Sequence, residues 1–167
     1  MGGHKSVMIT AEHFRTVLGH YPTGVCAITA ISETGEPFGL IVGSFSSVSL
    51  TPPLIGFYPD KASTSWRQIA KVGRFCVNIL ARDQRELCRQ LARPSSTKFD
   101  NVSHAHSPNG SPILDGIVAW IDCDVHQVVE AGDHYLVLGA VTAMKPTGIA
   151  DPMIFFQGRY GGFAAPD

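Results

Sequence analysis

Four seryl hydroxyls crowd into one short stretch, Gly43-Ser44-Phe45-Ser46-Ser47-Val48-Ser49-Leu50, closed by Thr51-Pro52-Pro53. The apolar phase moves from odd positions (Ile41, Phe45) to even ones (Val48, Leu50), and one extra residue near Ser46-Ser47 accounts for the switch. Such a bulge leaves backbone N–H and C=O groups unpaired beside a ladder. With the hydroxyls of Ser44, Ser46, Ser47 and Ser49, donors and acceptors then line one edge, which suits a flat heteroaromatic ligand. The same pattern also describes a Ser-rich edge strand whose hydroxyls are merely solvated.

A second constellation is Lys61-Ala62-Ser63-Thr64-Ser65-Trp66, where hydroxyl residues cap a helix with Trp66, Ile69 and Val72 on its apolar face and Gly73 at its end. Free N–H groups at the positive end of the helix dipole, with Lys61 or Arg67 near, make an anion site. An ordinary Ser/Thr cap gives the same sequence. Three further positions carry chemistry in one reading and packing in another. Lys98-Phe99 is a cation beside an aromatic, or a surface lysine next to an anchor. His134, in Gly132-Asp133-His134, is a catalytic imidazole or a histidine of a hairpin turn, and Tyr160 closes a pocket or packs at a strand end.

Other chemistries lack their parts. No G-x-G-x-x-G opens a βαβ unit, so a nicotinamide cofactor would bind without a Rossmann domain. His104-x-His106 has no third and fourth ligand at suitable spacing, so no metal site is expected. No G-x-S-x-G elbow supports a Ser-His-Asp hydrolase.

These residues need positioning elements. Thr10 caps a helix with Phe14, Val17, Leu18 and Tyr21 on one face, expected to plug a barrel end. Strands follow at Val25 to Ile31, a long Phe38 to Leu50 containing the bulge, Leu54 to Tyr58, and Arg74 to Leu80. Asp83-x-x-Glu86 resembles a capping box before a helix with Leu87, Leu91 and Ala92 inward. Pro94 to Pro112 is a long polar loop of the kind that forms lids. Ile117 to Val129 and Tyr135 to Met144 pair as a hairpin, with Trp120, Asp122 and Asp124 on the face opposite Ile121 and Cys123. Met153 to Gln157 is the last strand. Six or seven mostly antiparallel strands with three helices favour a closed barrel.

The chain has 167 residues, 44% of them apolar, and a net charge of −1. That is enough for one core, and residues 10–167 are expected to form a single domain after a flexible leader over 1–9. Near-neutral charge gives no footprint for nucleic acid or an anionic membrane. Four cysteines without C-x-x-C spacing suit a reducing cytoplasm.

In order along the chain, Phe14-Arg15, Pro22-Thr23-Gly24, Ser47-Val48-Ser49-Leu50 with Pro52-Pro53, Arg74-Phe75-Cys76-Val77-Asn78, Gly132-Asp133-His134 and Gly158-Arg159-Tyr160 resemble the flavin reductase family. The likeness is strongest to reductase components of two-component aromatic and steroid monooxygenases. It implies a mostly β, Greek-key, FMN-binding split barrel and a homodimer with the flavin near the subunit interface. It also implies an NAD(P)H:flavin oxidoreductase that passes hydride from nicotinamide C4 to flavin N5 and supplies reduced flavin to a separate monooxygenase. FMN is placed ahead of FAD, and NADH ahead of NADPH. On this resemblance Gly43, Ser44, Phe45, Ser46, Ser47 and Ser49 hold the flavin ring and Ser63, Thr64, Ser65 and Trp66 its phosphate. Lys98 and Phe99 cover the outer face, while His134 (as the catalytic group) and Tyr160 meet the nicotinamide. Relatives often carry a polar pair where this chain has Val42-Gly43, so one side-chain contact to the ring is expected to pass to the backbone. The alternative is a flavin-binding electron carrier on the same fold without efficient NAD(P)H oxidation.

Overall fold

The computed structural model of the chain describes residues 8–149 and 151–164. Most of the leader expected over residues 1–9 therefore lies outside the described residues. The elements run α1 (Ala11–Leu18), β1 (Thr23–Gly24), β2 (Cys26–Ile31), β3 (Pro37–Val42), β4 (Ser46–Leu50), β5 (Pro53–Phe57) and α2 (Thr64–Val72). They continue with β6 (Arg74–Ile79), α3 (Arg85–Ala92), β7 (His104–His106), β8 (Pro112–Leu114), β9 (Ala119–Ala131), β10 (His134–Pro146), β11 (Ile154–Phe156) and β12 (Arg159–Gly161). Seven strands form one sheet in the order β3-β2-β6-β9-β10-β5-β4, and its pairings are antiparallel.

That order forces the sheet to curl. Laid flat, strands β3 and β4 would stand six steps apart, or about 29 Å at roughly 4.8 Å per step. Only Gly43, Ser44 and Phe45 join Val42 to Ser46, and a chain that short reaches about 14 Å. The two edge strands are therefore brought together, and the sheet becomes a barrel split along the β3/β4 seam. The expected continuous strand from Phe38 to Leu50 is thus two strands on opposite edges. The bulge exists but lies one step further on, with the β4–β5 register shifting between Ser47 and Ser49.

Ile28, Phe57, Phe75, Val77 and Val137 fill the barrel and are fully buried. Phe57 sits edge-to-face on both Trp66 and Phe75, at ring distances of 5.6 and 5.3 Å. Helix α2 covers this core with Trp66 and Ile69. The expectation that α1 plugs the barrel is overturned: it buries no residue, and Phe14 and Tyr21 are 55% and 74% exposed. Its N-cap is as expected, Thr10 accepting from the His13 N–H. Helix α3 also departs from expectation. It starts at Arg85 without a side-chain cap, so no capping box forms, and it buries Cys88 and Leu91 whereas Ala92 is exposed.

The long polar segment before β9 is pinned to the sheet. Fully buried Asn78 donates to Thr29 Oγ1 (2.9 Å) and the Pro112 carbonyl (3.2 Å), and its Oδ1 accepts from the Leu114 N–H (2.8 Å). Asn109 adds its N–H to Asp122 Oδ2 at 3.0 Å, which buries an aspartate that alternation alone places on an outward face. Asn78→Ala would leave the Leu114 N–H without its acceptor in a dry layer, while Thr29 Oγ1 keeps the Pro112 carbonyl, and is expected to cost about 2–4 kcal/mol. Urea unfolding at constant m-value measures it.

All four cysteines are free and buried. Burial pushes the Cys26 and Cys123 thiols up to about 12 and raises Cys88, while burial and the neighbouring Asp122 raise Cys76 further. Because the thiolate is the reactive form, the native protein is expected to resist a disulfide reagent such as DTNB at pH 8. All four thiols should react once the chain is unfolded.

Candidate functional site

A cleft of about 550 Å³ opens at the barrel seam. One wall is the end of β3 and the link to β4, from Leu40 to Ser44; another is the β5–α2 connection from Tyr58 to Ser65. The end of α3 (Leu91 to Pro94), Lys98 and His134 complete it. Backbone bonds fix the two sides: Lys61 N–H donates to the Asp133 carbonyl (3.0 Å) and Tyr135 N–H to the Pro59 carbonyl (2.9 Å). Ser44 Oγ accepts from the Tyr58 N–H at 2.9 Å, which ties the seam link to β5. Gly43 is needed there, because a Cβ would lie 2.9 Å from Thr23 Oγ1.

The floor of the cleft is the start of α2. Ser63 is the N-cap and its Oγ accepts from the Trp66 N–H at 3.2 Å. The N–H groups of Thr64 and Ser65 have no acceptor among the described residues, as the first turn of a helix requires. Behind them the Lys98 ammonium donates to Gly39 O (2.8 Å), Ser65 Oγ (2.8 Å) and Leu91 O (3.2 Å). An ammonium has three donors, so all are spent inside the protein. Among the described residues no carboxylate pairs with it, and burial holds its pKa below the usual lysine value. The result is a fixed positive charge beside two free amides and a Ser65 hydroxyl that can still donate. Such an arrangement can hold an anion.

Beside the β5–α2 connection, where His134 pairs with Asp60, its Nδ1 lies 2.7 Å from Asp133 Oδ1. The carboxylate holds a proton on Nδ1, so Nε2 is left as the free nitrogen of the ring. The same hydrogen bond, with the charge of His134, draws the Asp133 carboxyl below its ordinary pKa.

The structure brings Gly43, Ser44, Ser63, Thr64, Ser65, Lys98 and His134 into this one cleft. Other residues singled out from sequence lie elsewhere. Ser46, Ser47 and Ser49 are on the edge strand β4, and Phe45 packs against the barrel core. Trp66 is in that core. Phe99 faces an adjoining cavity that shares Lys98. Tyr160 lines a separate cavity of about 690 Å³ with Pro22, Phe156 and Arg159, its hydroxyl 3.5 Å from Cys88 Sγ. Not anticipated from sequence are Tyr58, Pro59, Asp60 and Arg93; the Pro59 and Pro94 breaks mark where the chain turns into the cleft, but no periodicity points there.

An apolar-walled cleft with a phosphate-sized anion site at one end fits a flavin mononucleotide moiety: Thr64, Ser65 and Lys98 would hold the phosphate, and Val42 to Ser44 with Tyr58 would flank the ring. The family model of the flavin reductase like domain matches residues 18–164. A flavin reductase of Pseudomonas putida is 51% identical over 94% of this chain and 92% of its own. The reductase subunit HsaB of a flavin-dependent monooxygenase from Rhodococcus jostii (strain RHA1) is 42% identical over 92% and 78%. The crystal structure of nitrilotriacetate monooxygenase component B from Mycobacterium thermoresistibile superposes with a TM-score of 0.88 at 41% identity, covering 92% of this chain and 86% of that one.

Proposed function

Because the chain belongs to the flavin reductase family, we propose that it is an NAD(P)H:flavin oxidoreductase that hands reduced flavin to a separate monooxygenase. The observation that carries this reading is that Thr64, Ser65, Lys98 and His134 line one cleft. When bound, the flavin supplies the chemistry, accepting a hydride from the nicotinamide and carrying it away. The protein's work is positioning. Thr64 and Ser65 N–H groups fix the phosphate end, the seam link from Gly43 flanks the ring, and His134, oriented by Asp133, orders the donor against it. FMN contains every group that these residues address, so FMN is sufficient; NADH is the preferred donor, since among the described residues Lys98 and Arg93 are the lysine and arginine that line the cleft and neither marks a 2′-phosphate site.

A homodimer is part of this reading. The apolar face of α1, exposed in the single chain, supports it. A second reading, a flavin carrier without NAD(P)H oxidation, is favoured by one observation: the phosphate groups converge within this chain, whereas Tyr160, expected at the nicotinamide, lies in a different cavity. Steady-state oxidation of NADH and NADPH with riboflavin or FMN as acceptor separates the two. FMN-dependent NADH oxidation supports the reductase, and flavin binding without oxidation supports the carrier.

A further inference from the structure

We infer that Asp60 sets the charge preference of the cleft for its nicotinamide, its carboxylate favouring the oxidised, cationic ring over the neutral, reduced one. The inference rests on the reading that the nicotinamide lies at His134. Loss of hydride breaks the nicotinamide C4–H bond; the electron pair and the proton leave together for the flavin, and a neutral ring becomes a cation. A negative charge held near that ring favours the product and the transition state that leads to it.

The backbone puts Asp60 in that place. Asp60 and His134 are bridge partners where the β5–α2 connection runs beside the start of β10. The two bonds that flank them, Lys61 N–H to the Asp133 carbonyl and Tyr135 N–H to the Pro59 carbonyl, make them a pair that shares no hydrogen bond of its own. In such pairs the Cα atoms approach to about 4.5 Å and both side chains leave the same face of the ladder. That face is the cleft, which both residues line. Asp60 Oδ1 accepts from the Ala62 N–H at 2.6 Å, which fixes the carboxyl group. Among the described residues Oδ2 has no hydrogen-bond partner and no cation pairs with the carboxylate. Lys61, next along the chain, does not line the cleft and is paired with Glu130 at 3.0 Å. The Asp133 carboxylate is engaged by His134 Nδ1 and lies outside the lining. Asp60 is thus the acidic side chain that the cleft presents among the described residues, with its charge uncommitted. A carboxylate there opposes a phosphate, so what it suits is a cation.

The test is equilibrium binding of two dinucleotides to the FMN-loaded protein by calorimetry: NAD+, whose ring is cationic, and tetrahydro-NADH, whose ring is neutral and has no hydride to give. They share pyrophosphate and adenosine, so the ratio of their affinities reports on the ring alone. Asp60→Asn removes the charge and keeps an oxygen for the Ala62 N–H; Asp60→Ser is a second neutral variant whose hydroxyl can accept the same bond. Each is expected to weaken NAD+ by about three- to tenfold and to leave tetrahydro-NADH within about twofold, the size expected for two unit charges a few ångström apart at a wet protein surface. Added salt should weaken NAD+ relative to tetrahydro-NADH in the native protein and leave the ratio unmoved in Asp60→Asn. A loss shared equally by both dinucleotides, or a ratio that neither substitution changes, overturns the inference and leaves Asp60 as a turn residue. Failure of both dinucleotides to bind the native protein overturns instead the reductase reading on which the inference rests.

Discussion

His134→Ala is expected to lower kcat/KM for NADH by about a hundredfold while leaving the FMN dissociation constant within about threefold, the size of loss that follows when a reactant is no longer held in a reactive geometry. The asymmetry follows from the cleft. His134 lines the cleft but its side chain bonds only Asp133 and none of the groups proposed to hold the phosphate, so truncating it leaves the flavin's anchors intact. Its own orientation depends on Asp133, which fixes the proton on Nδ1 at 2.7 Å. Asp133→Asn should therefore reproduce a smaller part of the loss, with the imidazole still present but free to turn. Rapid-mixing kinetics with separate titrations of NADH and flavin resolve the two constants. An equal loss in flavin affinity would mean that His134 supports the ring rather than the donor.

Lys98→Met should weaken FMN by roughly three- to tenfold and riboflavin hardly at all, because the through-space attraction of a positive charge whose N–H donors are already spent within the protein disappears only for the ligand with a phosphate. The same substitution leaves Gly39 O, Leu91 O and Ser65 Oγ without their donor, and is expected to cost the fold about 1–3 kcal/mol. A pH series adds an independent check. Burial lowers the Lys98 pKa, so the ammonium is present at neutral pH and is lost on alkalinisation before ordinary lysines titrate. FMN affinity of the native protein should accordingly fall with rising pH, starting below the usual lysine range near 10.4. Riboflavin binding and the Lys98→Met variant should lack that limb. A fall shared by riboflavin would assign the titration to another group.

Much of the site was legible before the structure because its parts are local. Ser63-Thr64-Ser65 announces a capped helix whatever surrounds it, and Gly132-Asp133-His134 announces a turn followed by a strand. Lys98 and Gly43 needed the family likeness, since nothing in a polar loop or a lone glycine predicts that one will lie behind α2 and the other against Thr23. The failures have a common physical source. Strand alternation carries through Gly43 to Phe45 without a break, yet three residues suffice to carry the chain from one edge of the sheet to the other, which only barrel closure reveals. Helix α1 has an apolar stripe, but a stripe does not say which surface receives it, and the barrel is already filled by its own side chains. Asp122 and Asn78 sit on a face that alternation marks as outward; the segment from Ser107 to Leu114 covers it, and their side chains are the fastenings. Tyr160 could not be placed from a short C-terminal motif because its position depends on β11 and β12 forming a small sheet of their own with β1.

The most direct test of the central claim is anaerobic. The protein is mixed with excess FMN, NADH is added, and the oxidised-flavin absorbance is followed before the mixture is passed through a membrane that retains the protein. Rapid bleaching that depends on the protein and falls sharply in His134→Ala, with reduced flavin recovered in the filtrate, is the expected result. Flavin that binds but stays oxidised in the presence of NADH and NADPH would contradict the account and leave a carrier on the reductase fold.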